Sequence, residues 1–227
     1  FEFRAAGSSQ NVSLINTVLN TITAEAFAIV ADRIEAGETP AAVAQDLLKV
    51  HSKVIFNGNG YDTEWPEKAV EKGVWRIDSG VEAIKKFTDS KNTELFEKMG
   101  VLTPRECEAR RAILLEHYIG TVEMEALTMV DMINQHVIPS CKKAELGFVK
   151  KLEDAVKTIT KAVDEIHAAA DEAEAASLAR VLRLDTMIKI REVCDEAEAL
   201  CPPSLWTLAT YSELLFLDTY PEGDLLL

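Results

Sequence analysis

Between residues 149 and 170 the apolar positions Val149, Leu152, Val156, Ile159, Val163, Ile166 and Ala170 follow one another at alternating steps of three and four. That 3.5-residue period belongs to a helix whose apolar seam meets a partner helix; strand side chains repeat every second residue. A similar seam precedes it, formed by Leu115, Ile119, Val122, Ala126, Met129, Ile133 and His136. A third, with Leu178, Val181, Leu182, Ile188 and Val193, is helical but less regular. Short connections between long helices make consecutive ones antiparallel neighbours. Residues 103–201 are therefore expected to form a long antiparallel helical bundle. The whole chain is expected to be mainly α, since Gly (10) and Pro (7) are sparse.

The bundle has a marked start. Thr103-Pro104-Arg105-Glu106 is a capping box with proline at the first helical position, and the helix is expected to run toward Pro139. Ahead of it, residues 61–102 read as a connecting region of short helices, broken by Gly73 and Gly80 and closed by Gly100. Residues 1–60 read as a strand, a loop and two helices. Phe1-Glu2-Phe3-Arg4 alternates like a half-buried strand, and a small-residue loop follows over residues 5–11. Leu14, Ile15, Val18, Leu19, Ile22, Ala26, Ile29 and Val30 then recur at helical spacing up to Gly37. Thr39 and Pro40 start the second helix. Asn57-Gly58-Asn59-Gly60-Tyr61 reads as a structural turn, since no Lys follows as a phosphate loop would require. Asp171-Glu172-Ala173-Glu174 reads as a solvated hairpin before a helix start at Ser177. Residues 202–227 read as an extended arm in which Thr210–Phe216 is echoed by residues 219–226. The arm lies either on a neighbour or inside the same fold.

A formal charge of −14 argues against nucleic acid or an anionic membrane surface as partner. No uninterrupted apolar run approaches the roughly 18 residues of a bilayer span, so a soluble protein without membrane insertion is expected. Cys107, Cys141, Cys194 and Cys201 form no C-x-x-C pair and the four histidines are scattered, leaving no zinc signature. The thiols are expected to be reduced and buried. His117 and His136 read as hydrogen-bonded core residues, and Trp65 and Trp75 as core or interface anchors. Met124, Met129 and Met132 read as adaptable packing. No secretory signal is visible, and the chain opens on Phe1 in mid-motif, so sequence upstream is expected to be missing. The compartment expected is the cytoplasm, or a plastid or mitochondrion if a targeting segment was removed.

Five blocks together resemble type III glutamine synthetase: FEFRAAGSSQN at 1–11, NTVLNT at 16–21, VIFNGNGY at 54–61, KNTELFEKMGVLT at 91–103 and EALTMVDM at 125–132. The resemblance implies that residues 1–60 end a catalytic domain, with the strand as its remnant. It implies a ligase that joins ammonia to glutamate at the expense of ATP through a γ-glutamyl phosphate, in a ring-shaped homo-oligomer. Two or three Mg²⁺ or Mn²⁺ ions would hold the nucleotide phosphates and the substrate carboxylate. On an alternating strand Glu2 and Arg4 share a face. By resemblance to the family's R-F-E-F-R motif, Glu2 is the metal ligand and Arg4 the catalytic and substrate-binding clamp. A divalent metal and a guanidinium would stabilise charge developing on phosphoryl oxygens.

The first Arg of that motif and the family's other metal-binding residues are absent from this sequence, and one carboxylate cannot hold magnesium usefully. The chain alone is expected to be inactive. The alternative is a non-catalytic helical scaffold derived from this enzyme and docked on a larger assembly.

Overall fold

A computed structural model describes residues 10–59 and 61–216, apart from the side chain of Tyr211. The expected strand, with Glu2 and Arg4, lies outside the described residues, as do Gly60 and the second aromatic segment from residue 219. Among the described residues every regular element is helical. The chain divides into two compact units, Phe1–Ile113 and Leu114–Leu227.

In the first unit, α1 (Val12–Glu35) is capped by Asn11, whose Oδ1 accepts the Ser13 N–H at 2.8 Å. It packs on α2 (Pro40–Val50) and α5 (Ser90–Lys98). As the sequence implies, Thr39 caps α2, with its hydroxyl accepting the Ala42 N–H, and Pro40 opens it. Arg33 ties these helices together: its guanidinium forks onto Glu38 and reaches Asp46 at 2.8 Å. The short helices α3 (Trp65–Glu71) and α4 (Gly80–Lys85) fall in the expected connecting region. After α5, Gly100 takes φ +66°, and the Gly100 and Val101 amides donate back to Glu97 and Phe96. This reversal, which needs the left-handed backbone that glycine adopts cheaply, sets Leu102 into a small core with Phe96 and Cys107.

Helix α1 departs from the sequence reading in one respect. The side chain it buries fully is Thr21, while Ile22, Phe27 and Ile29 point to solvent, Phe27 at 70% exposure. The stripe Ile22–Ala26–Ile29 therefore runs outward. In mean hydropathy (1.5) and length α1 also qualifies as a membrane-crossing helix, although little of it is buried. Asn16, Asn20 and Glu25 break the apolar residues of α1 into short runs, so only the average over the helix reaches that level. A helix apolar on several faces is equally what the interior of a larger protein requires.

At the end of the first unit the capping box forms as read. The Thr103 N–H donates to Glu106 Oε2 at 2.8 Å, and the Glu106 N–H reaches the Thr103 hydroxyl. These two residues open α6 (Pro104–Met132), within which the division between units falls. Pro139 does not end the helical run. A π-helical segment, Ile133–Val137, loosens the ladder and α7 (Ile138–Lys143) carries it through the proline. A proline ring clashes with the carbonyl four residues back, and a wider turn there relieves the clash.

Helix α8 (Val149–His167) buries Leu152, Ile159, Val163 and Ile166, as its seam demands. The turn before α9 (Glu172–Val181) is no loose hairpin: Asp171 caps the helix by accepting the Glu174 N–H at 2.8 Å. The Glu174 carboxylate in turn accepts the Ala170 N–H, and acidic groups suit a helix N-terminus. A second π segment, Leu182–Thr186, joins α9 to α10 (Met187–Leu200). The extra residue per turn shifts the phase of the seam, which is why the third stripe looked irregular. Nothing in the sequence of Leu182–Thr186 explains why the π turn forms there.

Val122, Ala126, Ile133, Leu152, Ile159, Leu182 and Cys194 belong to one continuous core. Each of the Val, Leu and Ile side chains among them contributes about 1.5–3 kcal/mol on burial. Beyond Pro202 the described part of the expected arm is partly helical. Thr210 and Glu213 form a capping box over α11 (Tyr211–Leu215). The arm is held to its own unit by a 2.8 Å hydrogen bond between His136 Nδ1 and Thr207 Oγ1.

Candidate functional site

Among the described residues no group of three or more His, Cys, Asp or Glu could hold a metal ion. Glu2 and Arg4 lie outside those residues. The four quoted blocks that fall within the structure are packing elements. Thr21 is buried with its hydroxyl donating to the Thr17 carbonyl at 2.7 Å. Phe56 stacks on Trp65 with ring centroids 4.0 Å apart. In the following loop Asn59 Oδ1 accepts the Tyr61 N–H at 3.1 Å, a turn held by its own side chain. Residues 91–103 supply α5 and its glycine cap, and residues 125–132 supply the core residue Ala126.

Each unit also contains a cavity. In the first, about 230 Å³ is enclosed by Val18, Thr21, Trp75, Phe87, Asn92 and Phe96. Trp75 is 65% exposed, with the Lys91 ammonium 5.6 Å from its ring, so it is no core anchor here. In the second, a cavity of about 890 Å³ opens between α6, α10 and the arm. That is within the range of ligand pockets, roughly 300–1,000 Å³. Both π segments border it, through Ile133, Val137 and Arg183. The cavity was not legible in the sequence, because the π turns that shape its walls leave no composition signal.

All four cysteines are free and buried. Burial pushes the Cys107 and Cys141 thiols up, and that of Cys194 to about 11, so thiolate chemistry near neutral pH is disfavoured. His136 is half-buried and hydrogen-bonded, whereas His117 is exposed, contrary to expectation. His167, unremarked in the sequence, meets Glu123 at 2.9 Å.

A family model described as the glutamine synthetase C-terminal domain matches residues 41–160, from α2 through most of α8. The chain is 29% identical to the type-3 glutamine synthetase of Dictyostelium discoideum, over 96% of this chain and 35% of that protein. It is 28% identical to a glutamine synthetase of Butyrivibrio fibrisolvens, over 86% of this chain and 32% of that one. It is 24% identical to a glutamine synthetase of Bacteroides fragilis, over 95% and 35%. The chain thus spans about a third of the length of the curated relatives it matches.

Proposed function

This chain belongs to the glutamine synthetase C-terminal domain family, and on that premise we propose that it is the C-terminal part of a glutamine synthetase of the type-3 kind. The observation that carries the proposal is the match of nearly the whole chain to three glutamine synthetases, with the family model covering α2 to α8. In this reading the full protein ligates ammonia to glutamate at the expense of ATP, as a homo-oligomer. Its divalent metals, Mg²⁺ or Mn²⁺, would polarise the transferring phosphoryl group. The described residues do not fit such a metal, since no suitable cluster exists among them. Their part is to pack, cap and present surfaces. The outward apolar face of α1 supports this division of labour: Ile22, Phe27 and Ile29 need a cover that the described residues do not supply.

Glu2 as metal ligand and Arg4 as clamp on glutamate or the phosphoryl group remain the chemical contributions we assign to this chain. The test joins it to the remaining two thirds of a type-3 relative and measures glutamine formation from glutamate, ammonia and Mg-ATP. The chain alone should be inactive and the joined protein active. Arg4→Ala should cut turnover about 10²- to 10³-fold, the cost of losing one charge-stabilising donor. Near-normal turnover removes Arg4 from the site. An inactive joined protein that still assembles favours the non-catalytic scaffold.

A further inference from the structure

Four of the chain's five methionines line one cavity: Met124, Met129, Met132 and Met187 border the 890 Å³ space in the second unit, and Met99 lies elsewhere. Thioether side chains are flexible and polarisable, and they fit ligands of varied shape better than branched aliphatics do. Met124, Met132, Ile188 and Leu214 around the cavity are each more than 40% exposed, so apolar surface is concentrated there without a cover among the described residues.

Two π turns border the cavity. Met187 donates its N–H to the Leu182 carbonyl and Ile138 donates to the Ile133 carbonyl, the i to i+5 bonds of two π turns. Such turns occur often at binding sites.

The charges set the sign of the occupant. Two guanidiniums border the cavity, and each already has a carboxylate: Arg183 pairs with Glu125 at 2.9 Å and Arg191 with Asp195. A third carboxylate, Glu198, makes no ion pair among the described residues. Among the described residues the lining thus carries one more carboxylate than guanidinium, in a chain of net charge −14. Trp206 also lines it and offers a ring on which a cation is favoured.

We propose that this cavity binds a small amphiphilic cation: a molecule with an apolar body seated among Met124, Met129, Met132 and Met187 and an ammonium group beside Glu198. The proposal does not depend on the ligase reading.

The test uses the whole chain with methyl-¹³C methionine and three probes of one chain length, decyltrimethylammonium, 1-decanol and decanoate, each below its aggregation limit. Saturable binding of one cation per chain should move the four cavity methyl signals and leave Met99 in place. The alcohol should bind about three- to tenfold more weakly, the worth of one partly exposed charged contact, and decanoate weaker still. Glu198→Gln should bring the cation down to the affinity of the alcohol without changing the alcohol's own binding.

The proposal is overturned if Met99 moves with the others, if decanoate binds as well as the cation, or if Glu198→Gln changes nothing. It is also overturned if removing residues 217–227 tightens probe binding tenfold, since the chain's own end would then be the occupant. Methyl shifts that depend on protein concentration without any probe would instead identify a second copy, and would overturn it as well.

Discussion

The two units solve the same problem, how to bury helices, with very different completeness. In the second, each long helix turns its seam onto a continuous core, and Leu152 and Ile159 lose all exposure. In the first, the small core of Phe96, Leu102 and Cys107 is backed by a helix whose most apolar face points outward. Heptad seams specify a partner within the same chain, because antiparallel neighbours arise from short turns. An apolar helix without such a neighbour specifies only that something must cover it. The second unit closes a core of its own, although Met124, Ile188 and Leu200 stay exposed on it, whereas the first leaves the α1 stripe uncovered among the described residues.

The largest effect that could break this contrast comes from the bundle. Ile159→Ala leaves a cavity at a fully buried seam position and should cost about 2–5 kcal/mol. Trp206 reports the second unit in a variant with Trp65 and Trp75 changed to Phe, while Trp65 and Trp75 report the first once Trp206 is changed. Ile159→Ala should lower the unfolding midpoint seen by Trp206 by far more than that seen by the other pair. Equal shifts would show that the units unfold as one body, and the contrast would lose its energetic meaning.

How far the sequence revealed this division depends on the kind of signal. The α8 seam is legible because burial on one helix face repeats at a fixed period, and its interior positions Leu152, Ile159, Val163 and Ile166 are the buried ones. The capping box at Thr103 is legible because two side chains must reach two specific amides. The passage of the helix through Pro139 was not, since a π turn is a response to strain and has no residue signature. Nor was the outward face of α1, because periodicity identifies an apolar stripe without saying whether its cover belongs to the same chain. The candidate site divides in the same way. Glu2 and Arg4 came from a motif and lie outside the described residues, whereas the large cavity came from geometry that no motif encodes.

A smaller effect should sharpen the comparison from the favourable side. The first unit ends α5 on Gly100, but the second ends α7 on Glu145, a non-glycine residue at φ +53°. The Glu145 and Leu146 amides donate back to Lys142 and Cys141, so this is the same cap built on a strained residue. Glu145→Gly should therefore stabilise the second unit, by about 0.5–1 kcal/mol after the entropy glycine loses on folding. The midpoint reported by Trp206 should rise and that of the first unit stay. A fall would show that the Glu145 side chain stabilises the unit in some way that outweighs its backbone strain.

Acid should separate the units in the opposite sense. In the first, Arg33 donating to Glu38, Lys68 donating to Glu64 and the Thr103 amide and hydroxyl donating to Glu106 hold these carboxyls below their ordinary range. In the second, Glu213 is lowered in the same way by Thr210. A depressed carboxyl stabilises the fold at pH above its unfolded value, about 4.3, and that stability drains away as pH falls through the folded value. Among the described residues, three such groups against one predict that the first unit loses midpoint sooner between about pH 5 and pH 3. All are exposed, so salt should shrink the difference. Parallel loss in both units would mean that the ion pairs of the first add nothing measurable.

The smallest expected change tests the premise most directly. Phe27 is 70% exposed on α1, and in a self-sufficient unit a charge there would be as harmless as on any surface. Phe27→Asp should leave the stability of this chain within about 0.5 kcal/mol of the original. Joined to the rest of a type-3 relative, the same substitution would place an unpaired carboxylate in a dry contact and cost several kcal/mol. The readout is the ratio of the two effects: unfolding of the chain alone against assembly and unfolding of the joined protein. Harmlessness in both would leave the outward face of α1 without a cover and remove the physical support for reading the first unit as half of an interface. Damage in the chain alone would mean that the face is already buried here, against its observed exposure.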